Sequence, residues 1–136
     1  MRLDPQALEP CLQFLRDQLA DLQAIYLFGS EAAGQAGPDS DVDLAVLLPA
    51  SLPAVRRWSL MEHLAERLGR DVDLVDLRAA STVMRHQVLA QGQRLWSAGT
   101  EADLFELSTF SEYWDLAIQR RELLADIERR GSIHAR

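Results

Sequence analysis

Two stretches of the sequence decide the fold: Leu27-Phe28-Gly29-Ser30 and, ten residues after the serine, Asp41-Val42-Asp43-Leu44. The first stretch closes an apolar run that begins at Ala24, as expected of a strand buried on both faces. Glycine after such a strand allows a sharp turn and a close approach to a ligand, while the serine supplies a hydroxyl that can cap a short helix. Backbone N–H groups at a helix start favour an anion. The pattern therefore predicts a phosphate site at the end of the strand.

The two aspartates of the second stretch head another apolar run, predicted as a strand over residues 41–48. Residues two apart on a strand leave the same face, with Cα atoms roughly 6.6 Å apart. Two Mg²⁺ ions in phosphoryl-transfer sites sit about 3.5–4 Å apart, and such a carboxylate pair can hold or bridge them. The alternative is a pair of solvated strand-start aspartates. The apolar residues that follow on both faces favour the metal site, because they place the carboxylates at the wet mouth of a buried strand.

A third carboxylate is expected on the next strand candidate, residues 71–77. Asp71 and Asp73 share one face of this strand and Asp76 the other. Asp73 is selected because its apolar neighbours place it inside the sheet, where an unpaired anion is costly without a metal. Asp71 is expected to be exposed with Arg70 as its salt-bridge partner, and Asp76 to steady the helix that follows.

This arrangement resembles the signature of the polymerase-beta nucleotidyltransferase superfamily, which is Gly-Ser, ten residues, Asp-x-Asp and a third Asp on a later strand. The matching residues are Gly29, Ser30, Asp41, Asp43 and Asp73. Within the superfamily, the chain resembles the minimal nucleotidyltransferases (MNT) that act as antitoxins of HEPN-domain toxins.

The resemblance implies a role for each of these residues. Asp41 and Asp43 would bind two Mg²⁺ ions, and Asp73 would bind one of them and help to activate the attacking hydroxyl. Gly29 and Ser30 would hold the outer phosphates of ATP. The implied reaction is transfer of AMP from ATP to a tyrosine of the HEPN toxin, which silences its RNase activity.

The loop between the two halves of the motif departs from many relatives, because it has no cation from Gly29 to Asp43. Neutralisation of the triphosphate would then fall on Mg²⁺, on backbone amides and on an arginine from elsewhere, for which Arg78 and Arg85 are the candidates. Two other functions stay open. One is a non-catalytic antitoxin that inhibits by binding, and the other is an aminoglycoside-type nucleotidyltransferase, which would need an additional substrate-binding domain.

The composition is that of an ordinary globular protein, with 136 residues of which 48% are apolar and 26% charged. No run approaches the roughly 18 apolar residues of a membrane span, and the start lacks a signal-peptide core, which predicts a cytoplasmic protein. The net charge of −7 argues against a polymeric nucleic-acid partner. All 14 basic residues are arginine, which excludes a Walker A lysine. Because Cys11 is the only cysteine, a metal would be held by oxygen.

The remaining pattern predicts an α+β fold in which helices pack on a small mixed β-sheet, followed by a long C-terminal helical tail. Helices are expected over 4–22, 54–68 and 81–91, and a short last strand over 94–96.

The tail, from about residue 101 to 130, is predicted as one helix or as two pieces broken near Ser108-Thr109. Its apolar surface is broader than a small sheet can cover and needs a counterpart. We expect residues 1–100 to form a nucleotidyltransferase-like domain. We expect residues 101–136 to form a helical extension that packs on this domain, on a partner, or on both.

Overall fold

The computed structural model describes residues 5–35, 37 and 40–134 and contains four strands and five helices in that range. In chain order they are α1 (Pro5–Gln18), β1 (Ala24–Phe28), α2 (Gly29–Ala33), β2 (Val42–Leu47), α3 (Ala54–Leu68), β3 (Val72–Asp76), α4 (Thr82–Gln91), β4 (Gln93–Ser97) and α5 (Glu101–His134). The mixed sheet with helices and a long C-terminal helix confirms the predicted α+β class.

The order of the strands in the sheet is β3-β2-β1-β4. Strand β1 is antiparallel to both β2 and β4, whereas β2 and β3 are parallel. The end of β1 therefore lies beside the beginning of β2, and the beginning of β3 lies at the same end of the sheet. This topology brings the Gly-Ser turn and both Asp-x-Asp segments to one end of the strands.

Alternation along β2 divides the core into two layers, one on each face of the sheet. Val42, Leu44 and Val46 belong to the layer that contains α1 and α3, whereas Ala45 and Leu47 belong to the layer that contains α4 and the start of α5. Asp43 and Asp73 share the second face, by the two-residue period of a strand. Both predicted metal ligands on the strands therefore leave the same side of the sheet.

The first helix is shorter than predicted, because it ends at Gln18 and not at Leu22. Leu19 and Leu22 stay buried after the helix, since a turn in which the Leu22 N–H donates to the Leu19 carbonyl (3.1 Å) keeps both in the core. Asp4, the predicted first residue, lies outside the described residues.

Helix α5 is unbroken, so of the two alternatives for the tail the single helix is correct. The expected break at Ser108-Thr109 is absent because both side chains are accommodated: the Ser108 hydroxyl donates to Glu112 Oε1 (3.3 Å), and Thr109 is buried. The outer part of the helix exposes many large apolar side chains, which are Leu104, Leu107, Trp114, Leu116, Ile118, Leu123, Leu124 and Ile127. In the described part of the chain, no helix is both long and apolar enough to cross a bilayer.

Asp76 is buried. The prediction that it steadies the helix that follows was wrong. Its carboxylate accepts hydrogen bonds from the backbone N–H of Leu52 (2.6 Å) and of Arg78 (3.1 Å), so it holds the loop before α3 against the end of β3. The cap of α4 is Ser81, whose hydroxyl oxygen accepts from the Met84 N–H at 3.1 Å.

Candidate active site

Gly29 lies against the side chain of Asp43. Its φ of +72° is in the left-handed region, and a Cβ at this position would overlap Asp43 Oδ2 and lie 3.0 Å from Asp43 Cγ. Asp43 is paired with Phe28 across β1 and β2. The turn after β1 therefore approaches the Asp43 carboxylate as closely as its backbone permits, and only glycine leaves the carboxylate undisturbed.

Asp73 lies beside Asp43 on the neighbouring strand, because the parallel register of β2 and β3 pairs the two residues directly. The prediction that Asp73 lies inside the sheet was wrong, because β3 is an edge strand and Asp73 is exposed on it. Asp41 precedes β2 and is exposed. Asp41 and Asp73 both line a cavity of about 400 Å³, together with Trp58, Met61, Glu62, Ala65, Asp71 and Val72. The structure thus places Asp41 and Asp73 at an open cavity and Asp43 beside Asp73, so the three aspartates that the sequence singled out lie in one region.

The three carboxylates act on one another electrostatically. Burial, then the negative charge of Asp73 and then that of Asp41, raise the pKa of Asp43 above its ordinary value of 3.8. Within residues 5–35, 37 and 40–134, no three Asp, Glu, His or Cys side chains form a compact metal-ligand cluster. The three aspartates present only oxygen donors, which suit a hard divalent cation.

The raised pKa predicts how the metal-free protein responds to pH. When the pKa of a carboxyl group is higher in the folded than in the unfolded protein, the free energy of unfolding falls as the pH rises from 3.8 through the raised value. We expect Asp43→Asn to unfold at a higher temperature than the wild type at pH 7 with a chelator present, and the gap to narrow as the pH falls towards that range. Mg²⁺ should raise the melting temperature of the wild type more than that of the variant. A variant no more stable than the wild type at pH 7 would contradict the pKa shift.

Ser30 does not cap α2. The helix begins at Gly29, its N-cap residue is Phe28, and no side chain makes a capping hydrogen bond. Ser30 therefore lies inside the first turn, because the sharp bend occurs at Gly29 itself, one residue earlier than a serine cap requires. Its place next to the turn is as expected from the motif, although its role as a cap was wrong.

Arg70 was expected to pair with Asp71 but forms its ion pair with Glu31 instead, with 2.6 Å between Nη1 and Oε1. Sequence reasoning missed Glu31 entirely. The only available signal was an acidic residue directly after Gly-Ser, and its partner lies on a distant segment.

Arg78 and Arg85 do not reach the aspartates, so their proposed role as triphosphate ligands is wrong. Arg78 donates to the Leu48 carbonyl (2.6 Å) and Arg85 to the Leu77 carbonyl (2.7 Å). These carbonyls follow the far ends of β2 and β3, and the four steps along the strand from Asp43 to Leu47 alone span roughly 13 Å. Both arginines donate to backbone carbonyls at the opposite end of the strands, away from the aspartates.

A Gly-Ser turn that meets paired aspartates of two parallel strands, on a four-stranded mixed sheet, is the arrangement of a nucleotidyltransferase. The chain belongs to the polymerase-beta nucleotidyltransferase family, because the family described as "Polymerase beta, Nucleotidyltransferase" matches residues 9–101.

Curated and solved relatives are similar over most of their length. Protein adenylyltransferase MntA of Shewanella oneidensis is 44% identical over 116 residues, which cover 85% of this chain and 84% of that protein. A crystal structure of a toxin-antitoxin with AMP-PNP matches with a TM-score of 0.79 and 42% identity, over 92% of this chain and 98% of that chain. A structure of the tri-AMPylated Shewanella oneidensis HEPN toxin in complex with MNT antitoxin matches with a TM-score of 0.76 and 40% identity, over 91% and 98%.

Proposed function

We propose that this protein is an antitoxin adenylyltransferase that transfers AMP from ATP to a tyrosine of a cognate HEPN toxin and thereby silences its RNase activity. The observation that carries the proposal is the placement of Asp41 and Asp73 on one open cavity, with Asp43 paired in register with Asp73 and in contact with Gly29. A relative that is 44% identical over most of both chains is a protein adenylyltransferase. In a solved structure that matches this chain with 40% identity, an MNT antitoxin is in complex with a tri-AMPylated HEPN toxin.

The oxygen donors of the site fit Mg²⁺, and we assign two such ions to Asp41, Asp43 and Asp73. When bound, they would neutralise phosphate charge and favour ionisation of the incoming hydroxyl. The backbone at Gly29 and Ser30 would hold the outer phosphates of ATP. Asp43 sits deepest of the three aspartates, whereas Asp73 is exposed on the edge strand β3, where an acceptor from a partner protein has access.

The residues suit an in-line displacement at the α-phosphorus. The tyrosine oxygen forms a bond to the α-phosphorus, the bond from that phosphorus to the bridging oxygen breaks, and pyrophosphate leaves with the bonding electrons. Asp73, next to the acceptor side of the cavity, would orient the hydroxyl and take its proton.

The C-terminal helix supplies a surface for the toxin. We propose that residues 1–100 carry the nucleotidyltransferase and that residues 101–136 extend it, packing on α4 at one end and on the partner further along. A groove of about 580 Å³ lies between α4 and α5 and is lined by Val83, Tyr113, Leu116, Ala117, Arg120, Arg121 and Leu124. Its apolar walls suit a helical partner. An ATP-dependent reaction on an RNase assigns the protein to the cytoplasm.

The test is incubation of the protein with ATP, Mg²⁺ and the all-helical protein encoded in the adjacent reading frame, followed by intact-mass measurement of both chains. We expect the partner to gain whole AMP units at tyrosine and to lose RNase activity. Inhibition without any mass gain, preserved when Asp41, Asp43 and Asp73 are all replaced by Asn, would select inhibition by binding alone. Transfer to an aminoglycoside without any partner would select the small-molecule enzyme.

A further inference from the structure

The side chain of Arg70 joins three segments of the chain at the end of the strands where the aspartates lie. Glu31 of α2 has only 1% of its side chain exposed and Arg70 has 14%, and their ion pair measures 2.6 Å. The other two guanidinium nitrogens of Arg70, Nε and Nη2, donate to the Ser40 carbonyl at 3.2 and 2.6 Å. All three nitrogens of the guanidinium are therefore engaged by the protein itself.

Each segment held by Arg70 carries part of the candidate site. Glu31 directly follows Gly29-Ser30, Ser40 directly precedes Asp41, and Arg70 itself lies three residues before Asp73. Ser40 is fixed from the other side as well, because its hydroxyl oxygen accepts from the Gly37 N–H at 2.9 Å. The contacts of Arg70 thus fix the spacing between the Gly29-Ser30 turn and the carboxylates of Asp41 and Asp73.

Two simpler roles for Arg70 do not account for this geometry. It is not placed as a triphosphate ligand, since its nitrogens point to Glu31 and to the Ser40 carbonyl. Stability alone is also a poor explanation, because a buried ion pair can often be replaced by apolar side chains of similar volume without loss of stability. What apolar side chains cannot replace is the set of directional bonds to Ser40 and Glu31.

We propose that Arg70, held by Glu31, is a positioning residue that sets the geometry of Gly29-Ser30 relative to Asp41 and Asp73 for AMP transfer. The inference rests on the proposed function for its kinetic readout. It also accounts for the acidic residue that this chain carries directly after Gly-Ser, because the role of Glu31 is to hold Arg70 in place and not to bind the ligand.

The kinetic test compares Arg70→Met, the double variant Glu31→Leu/Arg70→Met and the control Arg67→Met. Arg67 is exposed, donates to the His63 carbonyl of its own helix (3.2 Å) and lies over the Phe14 ring (4.0 Å to the centroid), a contact that methionine can keep. We expect Arg70→Met to lower kcat for AMP transfer by about 10- to 100-fold with little change in KM for ATP, as for other residues that orient a site. We expect the double variant to regain the melting temperature of the wild type but not its kcat, and Arg67→Met to keep both.

A second readout does not depend on activity. Hydrogen exchange at the amide of Val42, which donates to the Asp71 carbonyl at 2.9 Å, should become faster in Arg70→Met and in the double variant. Wild-type kcat in the double variant, or exchange at Val42 unchanged in both variants, would overturn the positioning role. A wild type that transfers no AMP would overturn the proposed function instead, and exchange at Val42 would then decide the role of Arg70.

Discussion

Asp43→Asn is expected to lower AMP transfer by about 10³-fold or more, because loss of a metal-binding charge removes several kcal/mol of transition-state stabilisation. The amide preserves the shape of the side chain and its place between Gly29 and Asp73. The fold should therefore be retained, and the loss should fall on kcat. The measurement is single-turnover transfer of labelled AMP to the partner toxin at saturating ATP and Mg²⁺.

The third proposed ligand is tested by Asp73→Asn, with Asp71→Asn as its matched control. Both residues line the cavity that also contains Asp41. Each removes one charge from the same wall, but only Asp73 is paired in register with Asp43. We expect Asp73→Asn to be severely impaired and Asp71→Asn to retain most of the wild-type rate. Equal loss in the two variants would show that the overall negative potential of the cavity matters and not a particular third ligand. A nearly active Asp43→Asn would remove the basis of the catalytic proposal.

The parts of the fold that could be predicted from the sequence are those specified by local patterns. Strand β1 and helix α3 begin and end where the apolar periodicity and the closing Gly29 and Gly69 place them. Strands β2 and β3 are each one residue shorter at both ends than predicted, although the Asp71 carbonyl and the Leu77 N–H still form hydrogen bonds between the two strands. Local patterns also put Asp43 and Asp73 on strands, and the expectation that a third carboxylate completes the metal site suggested that these strands meet, without giving their register.

The parts that could not be predicted depend on contacts between distant segments. The direct pairing of Asp43 with Asp73 follows from the register of two strands joined by a helix, which periodicity does not determine. The partner of Arg70 is Glu31 and not its neighbour Asp71, because the fold brings Glu31 of α2 within 2.6 Å of Arg70 and buries the glutamate. Buried charges of this kind are paired by the tertiary structure, and the sequence offers each of them several equivalent partners.

Gly29→Ala is expected to lower AMP transfer by about 100-fold, although it removes no functional group. Two separate costs arise. The first is a left-handed backbone conformation, at φ +72°, which alanine adopts at about 1–2 kcal/mol. The second is steric, because the new methyl group overlaps Asp43 Oδ2 and the carboxylate must swing away.

Gly99→Ala separates these two costs. Gly99 has a φ of +75°, nearly that of Gly29, but a Cβ there would meet nothing within 4 Å. In chemical unfolding, Gly99→Ala should lose only the backbone cost, and Gly29→Ala should lose somewhat more, because it also displaces the Asp43 side chain. Only Gly29→Ala should lose transfer activity, and only in that variant should the melting temperature fail to respond to Mg²⁺. If Gly99→Ala lost as much activity as Gly29→Ala, general destabilisation would be the cause. If the losses differ as expected, the close approach of the turn to Asp43 is what requires glycine at this position.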